Sequence, residues 1–133
     1  MKDSALTLTK ALPNTAANNN TAALDFNPEA TGFLTNQWRQ GYIALSIPAL
    51  ADHTNTSVSN LFTLQDSTDN GNFANTNPLV QVSVVGVAST GSVATVKKVP
   101  LVPGIRRYVR FNQAIPANGG NGNNASISYE LVV

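Results

Sequence analysis

The segment YIALSIPAL (42–50) decides the fold class, because its side chains alternate in character from one residue to the next. Ile43, Leu45 and Ile47 fall on one side of an extended chain, with smaller or polar side chains between them. A period of two is typical of a β-strand with one buried face, whereas an amphipathic helix repeats about every 3.6 residues. The segment therefore predicts a strand whose large aliphatic side chains face a core.

The same alternation recurs in seven other segments, less regularly in residues 92–102, and these segments are rich in β-branched residues. They are residues 4–12, 21–26, 60–65, 79–87, 92–102, 105–112 and 126–133. Clusters of Asn, Gly, Pro and Ser separate them, and such clusters are typical of turns. Eight short strands in 133 residues predict a single all-β domain covering residues 1–133. An eight-stranded antiparallel jelly-roll sandwich fits this strand count best.

Two regions stand partly outside this pattern. Residues 1–20 are predicted to include a short N-terminal arm, because chain ends often extend from a domain. The segment GFLTNQWRQG (32–41) is short and bounded by glycine, so we expect a loop with one turn of helix at most. The first 14 residues contain no long apolar run, so we predict neither a signal peptide nor a membrane span.

The composition narrows the classes of partner. Charged residues make up only 11% of the chain and the formal net charge is +1, whereas ordinary domains are about 25% charged. With 17 Asn, 13 Thr and 10 Ser, we expect a neutral, polar surface. No overall field would attract nucleic acid or an anionic membrane, so neither is an expected partner. The absence of cysteine excludes disulfides, thiol catalysis and cysteine zinc sites, and favours folding inside a cell.

The stretch LQDSTDNGNF (64–73) holds two carboxylates near an Asn-Gly pair. Laid on a calcium-binding EF-hand loop, Asp66 takes the first position and Asn70 the fifth. The twelfth position is then Asn77, where calcium needs a bidentate glutamate. Because Asn-Gly is a common turn dipeptide, we expect a strand end followed by a turn. Asp66 and Asp69 are then predicted to accept hydrogen bonds from loop amides.

Residues for enzyme chemistry are sparse. His53 is the only histidine and no G-x-S-x-G motif accompanies it, so we predict an exposed loop histidine. A glycosidase needs two facing carboxylates about 5–10 Å apart, which a sequence alone does not exclude. Apart from Glu130, however, none of the seven carboxylates lies in the apolar surroundings that a general acid needs. We therefore predict no catalytic residue, no metal site and no cofactor.

Basic residues cluster late in the chain, on both sides of a Pro-Gly pair. If this pair turns the chain back on itself, the two groups become neighbours across adjacent strands and form a positive patch. Arginine side chains match the carboxylates of a protein partner, whereas binding to single-stranded nucleic acid also needs stacking aromatic residues. The pattern therefore indicates either a protein-partner interface, which is our hypothesis, or a solvated face at Lys97, Lys98, Arg106, Arg107 and Arg110.

Aromatic residues allow a second kind of surface. Such side chains could form a platform on which a sugar ring stacks, as in a carbohydrate-binding module. Aromatic residues are only 7% of the chain, and alternation places Tyr129 with the core, so core packing is the expected role for most of them. The candidates for the platform are Phe33, Trp38, Tyr42, Tyr108 and Tyr129.

Two motifs together resemble a known family. FTLQDSTDNGNF (62–73) is a strand that runs into a polar loop, and LVPGIRRYVRFN (101–112) is a Pro-Gly turn followed by an arginine-aromatic strand. In this order, they resemble the small capsid cement (decoration) proteins of tailed bacteriophages, over about residues 42–133. The matching positions are Leu64, Gln65, Ser67, Thr68, Asp69 and Asn70, then Pro103, Gly104, Arg107, Tyr108, Arg110 and Asn112.

The resemblance implies a jelly roll without catalytic residues that sits on the outer capsid surface of the virion. Such a protein is made in the host cytoplasm and bridges neighbouring subunits of the major capsid protein. It also implies a closed homo-oligomer, a dimer or a trimer, matched to a symmetry axis of the shell. The five basic residues would then meet carboxylates of the shell protein or of a sister subunit. The alternative is a carbohydrate-binding jelly-roll module on a virion or cell surface.

Overall fold

The protein is a β-sandwich throughout the part that the structure describes. The computed structural model describes residues 2–13, 16–25, 42–101, 105–120 and 125–132. These residues form two antiparallel sheets in a sandwich-like arrangement and contain no helix. Accordingly, they include no helical segment with the length and apolarity that crossing a membrane requires. The prediction of an all-β fold is confirmed.

Ten strands lie within the described residues, where the sequence predicts eight. They are β1 (Lys2–Ala11), β2 (Ala17–Asn20), β3 (Leu24–Asp25), β4 (Tyr42–Ile47), β5 (Ser59–Ser67), β6 (Ala74–Asn75), β7 (Gln81–Val85), β8 (Thr95–Pro100), β9 (Tyr108–Ile115) and β10 (Ser126–Val132). The sequence pattern misses β2 and β6. Both are short and mostly exposed, with the sequences ANNN and AN. Because they bury no apolar face, they leave no alternating pattern to detect.

The first sheet has four strands and the second has six, which occupy four positions across the sheet. The first sheet has the order β1–β10–β4–β8, and all neighbours are antiparallel. In the second sheet β9 and β5 are central and pair with each other. The short strands β2 and β3 both pair with the other side of β9, and β6 and β7 both pair with the other side of β5.

The core lies between the two sheets and is built by the predicted alternation. In β4, β9 and β10, buried residues alternate with partly exposed or exposed ones. Phe111 of β9 and Tyr129 of β10 meet edge to face, with ring centroids 5.9 Å apart, so this contact joins the two sheets. The Tyr129 hydroxyl donates to the Ala22 carbonyl oxygen at 2.6 Å, and burial raises the pKa of Tyr129.

The predicted N-terminal arm is wrong for the described part of residues 1–20. Instead, β1 pairs with β10 and β2 pairs with β9, so this region is built into both sheets. The chain crosses from one sheet to the other between Ala11 and Ala17. The buried Gln113 amide holds this crossing, donating to Asn19 Oδ1 at 2.7 Å and to the Ala11 carbonyl oxygen at 3.3 Å.

Candidate functional site

The turn after β5 is organised around the carboxylate of Asp69. Asp69 Oδ1 accepts hydrogen bonds from the backbone N–H groups of Asn72 and Gly71, both at 2.9 Å, and from the Ser67 hydroxyl at 2.7 Å. Asp69 Oδ2 accepts from the Asn72 side-chain amide at 3.0 Å. These bonds, led by the one from the Asn72 backbone, hold the pKa of Asp69 well below its usual range. The predicted role of Asp69 as a loop cap is confirmed.

Asp66 lies in β5 itself, where its side chain is buried and bound to Arg106. Asp66 Oδ1 accepts from Arg106 Nε at 2.9 Å and Nη2 at 2.6 Å, and Oδ2 accepts from the Arg106 backbone N–H at 3.0 Å. The side-chain bonds to Asp66 raise the pKa of Arg106. Asp66 therefore caps an amide 40 residues away instead of one in its own loop. Its carboxylate points to Arg106.

Arg110 connects β9 to β5 and to the loop beyond it. Arg110 Nε donates to Gln65 Oε1 at 3.0 Å, and Gln65 Nε2 donates to Asn75 Oδ1 of β6 at 3.1 Å. The guanidinium lies 4.0 Å from the centroid of the Phe73 ring, and burial lowers the pKa of Arg110. We call the resulting network the braced corner. It consists of Gln65, Asp66, Asp69, Arg106 and Arg110.

Arg107 also has an intramolecular partner. Its Nε and Nη2 atoms donate to the two carboxylate oxygens of Asp25 at 2.8 Å and 3.0 Å. Its guanidinium lies 4.8 Å from the centroid of the Tyr108 ring. The side chains of Arg107 and Asp25 are 40% and 45% exposed, so solvent weakens the pair. All three predicted interface arginines therefore have partners within the chain.

The two predicted interface lysines lie apart from these arginines. Lys97 and Lys98 are exposed on β8, which belongs to the first sheet, whereas β9 belongs to the second. The expectation that lysines and arginines are neighbours on adjacent strands is therefore wrong. The chain between β8 and β9 passes from one sheet to the other and does not make a hairpin. A role of the five basic residues in binding a partner stays a prediction.

His53 is fully buried, which contradicts the prediction of an exposed loop histidine. Its Nε2 atom donates to the Val58 carbonyl oxygen at 2.9 Å, and its Nδ1 atom accepts from Asn60 Nδ2 at 3.3 Å. Asn60 Nδ2 also donates to the Gly119 carbonyl oxygen at 2.9 Å. His53 and Asn60 together thus connect the loops that contain His53 and Gly119 to β5. A single histidine in a polar loop gives no periodic signal that could reveal its burial.

The described candidates for an aromatic platform do not share one surface. Tyr129 is in the core, while Tyr42 and Tyr108 lie in different sheets. Lys98 Nζ lies 5.0 Å from the centroid of the Tyr42 ring, just as Arg107 lies against Tyr108. Phe33 and Trp38 fall outside the described residues, as does the predicted loop at 32–41.

A hollow of about 300 Å³ opens at one end of the second sheet. Leu61, Ala114 and Pro116 are among its lining residues, and its described lining includes no titratable side chain. Elsewhere in the described parts of the chain, no group of three or more His, Asp or Glu residues is placed to hold a metal ion. The described lining of the hollow therefore offers mainly apolar contact.

Exposed apolar side chains concentrate between β7 and β8. Five large hydrophobic side chains are exposed among the described residues, and four of them lie between residues 85 and 96. Lys97 and Lys98 follow directly on β8. We call this set of exposed residues, which runs from β7 to β8 in the sequence, the β7–β8 edge. It consists of Val85, Val87, Val93, Val96, Lys97 and Lys98. Single exposed apolar residues are common on proteins, whereas a contiguous exposed apolar patch is typical of a contact surface.

Comparison with protein-family models and with curated protein sequences finds no match for this chain. Function is therefore inferred from two features of the described residues, the braced corner and the β7–β8 edge. The braced corner contains residues that carry the resemblance to capsid cement proteins. The β7–β8 edge contains two of the predicted interface residues, Lys97 and Lys98.

Proposed function

We propose that this chain is a structural virion protein that binds the outer capsid surface of a tailed phage and bridges major capsid protein subunits. The braced corner is the observation that supports this proposal. The two motifs behind the resemblance, residues 62–73 and 101–112, are separate in the sequence. In the fold, β5 pairs directly with β9, with Gln65 opposite Arg110 and Ser67 opposite Tyr108. The motifs therefore form one structural unit.

The described residues of the two motifs hold this unit together, and none of their titratable side chains lines the hollow at the end of the second sheet. Asp69 closes the turn after β5, and Asp66 binds Arg106. Arg110 joins Gln65 and covers Phe73. An enzyme motif would be expected to bring titratable groups together around a cleft. These motifs instead make one corner of the sandwich rigid, which suits a structural protein better than an enzyme.

We also propose that the sandwich is a jelly roll. If β2 with β3, and β6 with β7, each count as one interrupted strand, the described residues form eight strands. The two sheets then have the orders 1-8-3-6 and 2-7-4-5. In both sheets, strands from the start and end of the chain alternate, as in the two interlocked Greek keys of a jelly roll. The predicted count of eight is compatible with this counting.

The proposed attachment relies on many modest contacts. One small protein on a shell buries an area near the lower end for stable interfaces, about 1,000 Å². When a closed dimer or trimer engages two or three shell subunits at once, each further contact forms at a high effective concentration. Many copies can therefore strengthen a shell even where each single contact is weak.

Light scattering, first without and then with purified capsids assembled without this chain, tests the proposal. We expect a discrete dimer or trimer, and binding to capsids that saturates at a stoichiometry fixed by shell symmetry. A monomer that does not bind those capsids would contradict the proposal. Free major capsid protein and an unrelated icosahedral capsid provide the matched controls, since a surface bridge should need the assembled shell.

The carbohydrate-binding alternative has less support from the described residues. A sugar platform needs open aromatic faces, whereas Phe73, Tyr108 and Tyr42 each have a cationic group close to the ring. A glycan array separates the two functions directly. Saturable binding to one glycan class, together with no binding to capsids, would favour the carbohydrate-binding module.

A further inference from the structure

Among the described residues, strand β8 pairs on one side only. It is the terminal strand of the first sheet in the order β1–β10–β4–β8, and its described neighbour is β4. In an antiparallel pairing, backbone groups on the outer side of the last strand remain available to another strand. Pro100 at the end of β8 is compatible with this position, because a residue without an N–H group is tolerated on an edge strand.

The side chains of β8 present both apolar and positive groups to solvent. Val96 is 73% exposed and Val93, just before the strand, is 65% exposed. Lys97 shares a face of the strand with the buried Val99, whereas Lys98 points to the opposite face. An added strand would therefore meet one amine on each of its faces.

The two lysines disfavour pairing of β8 with the same strand of a second copy. Antiparallel pairing centred on β8 would place Lys97 of each copy opposite Lys98 of the other. Like charges directly opposite each other on paired strands are destabilising. Lysines on edge strands are a common protection against such self-pairing. A strand that carries carboxylates at these positions would be attracted instead.

We propose that β8 accepts an extended acidic segment of a different protein, which adds to the first sheet as a fifth strand. Two adjacent carboxylate side chains of this segment lie opposite Lys97 and Lys98, and its apolar side chains cover Val93 and Val96. Backbone hydrogen bonds along β8 supply affinity, and the lysines select the partner's charge. The assignment of this segment to the major capsid protein rests on the proposed function, whereas the pairing itself does not.

Two capped synthetic peptides test the pairing without any capsid. The first has the sequence TVEEVT, which resembles β8 with its lysines replaced by glutamate, and the second has the sequence TVKKVT. Each is titrated into isotopically labelled protein while the backbone amide signals are followed by NMR. We expect saturable shifts confined to residues 95–100 and their β4 neighbours with the acidic peptide. Binding of the basic peptide should be at least about tenfold weaker, and higher salt should reduce the difference.

A charge exchange provides the decisive control. The double variant Lys97→Glu/Lys98→Glu should no longer bind the acidic peptide and should bind the basic peptide instead. The matched variant Lys10→Glu changes the charge of β1, at the opposite edge of the same sheet, and should behave as the wild type. If neither peptide shifts the β8 signals at millimolar concentration, or if both peptides bind wild-type protein equally, the proposal is wrong. Dimerisation of the unmodified protein through β8 would also overturn it.

Capsid binding by the same variants separates this inference from the proposed function. Wild-type binding that is lost in Lys97→Glu/Lys98→Glu and kept in Lys10→Glu would support both. Equal capsid binding by all three proteins would overturn docking through β8 and leave the cement function standing. Peptide binding at β8 without capsid binding by the wild type would overturn the cement function alone.

Discussion

The braced corner and the β7–β8 edge are both rich in basic residues, yet they use them in opposite ways. In the braced corner, Arg106 and Arg110 are bound to Asp66 and Gln65 of a neighbouring strand. On the β7–β8 edge, Lys97 and Lys98 are exposed beside exposed valines. The arginines are held by polar contacts within the fold, whereas the lysines are exposed to a partner, although Lys98 also lies over the Tyr42 ring. A cluster of basic residues in a sequence therefore does not by itself locate an interface.

The braced corner should contribute to stability and the β7–β8 edge to binding, and mutation can test both contributions. Substitutions that disturb the internal polar contacts should lower stability. Substitutions at the exposed groups of the β7–β8 edge should leave stability nearly unchanged and alter only binding. The expected loss of stability decreases from substitution of the buried His53 to substitution of the exposed Val96.

The largest loss of stability is expected from His53→Ala. The fully buried ring binds the Val58 carbonyl oxygen and the Asn60 side chain. The His53 carbonyl oxygen also accepts from the N–H of Val87, so the same loop supports the β7–β8 edge from within. Loss of the ring leaves a cavity and unpaired polar groups, which should lower the free energy of unfolding by about 3 kcal/mol. Urea denaturation measures this change, and a loss below about 1 kcal/mol would contradict the buried placement.

A loss of about 2 kcal/mol is expected from Asp66→Ala. This variant removes the carboxylate that binds both the backbone N–H and the guanidinium of Arg106. Charge-assisted hydrogen bonds of a buried carboxylate contribute on this scale. Urea denaturation of Asp66→Ala should therefore show a lower midpoint, and Lys97→Ala serves as the control for a charge removed from the β7–β8 edge. Equal urea midpoints for the two variants would mean that the hydrogen bonds between Asp66 and Arg106 do not stabilise the fold.

A smaller, pH-dependent effect is expected from Asp69→Asn. Hydrogen bonds from the turn lower the pKa of Asp69 in the folded protein relative to the unfolded chain. The carboxylate therefore stabilises the fold above the unfolded pKa of about 3.9, and this contribution disappears as the pH falls through the lower folded value. The difference in unfolding midpoint between wild type and Asp69→Asn should be largest near pH 7 and shrink below pH 4. A difference in unfolding midpoint that grows as the pH falls would contradict a stabilising role of the Asp69 carboxylate in this turn.

The smallest change in stability is expected from Val96→Thr, within about 0.5 kcal/mol of the wild type. Val96 is 73% exposed, so the variant removes little buried apolar surface, and threonine keeps the branched shape that suits a strand. Its binding of the TVEEVT peptide should nevertheless weaken, because an apolar contact is lost. Parallel thermal melts and peptide titrations measure both effects. A melting temperature lowered by many degrees would place Val96 within the folded core.

Alternation predicted the elements that build the core, and the reason is visible in β4, where buried and partly exposed residues alternate without a break. Other features left no local signal. β2 and β6 are short and mostly exposed, and the burial of His53 depends on a loop that begins after β9. The partners of Arg106 and Arg107 lie 40 and 82 residues away in the sequence. The sheet in which β8 pairs depends on the whole topology, so the sequence misplaced it beside β9.

The thermal stability of capsids, with and without this chain at saturating stoichiometry, tests the central claim most directly. Capsids assembled without the chain are heated while a dye reports access to packaged DNA. A protein that bridges shell subunits should raise the temperature of shell rupture, with a plateau at the binding stoichiometry. The variant Lys97→Glu/Lys98→Glu should raise this rupture temperature less than the wild type does. An unchanged rupture temperature at full occupancy by the wild type would contradict the cement function.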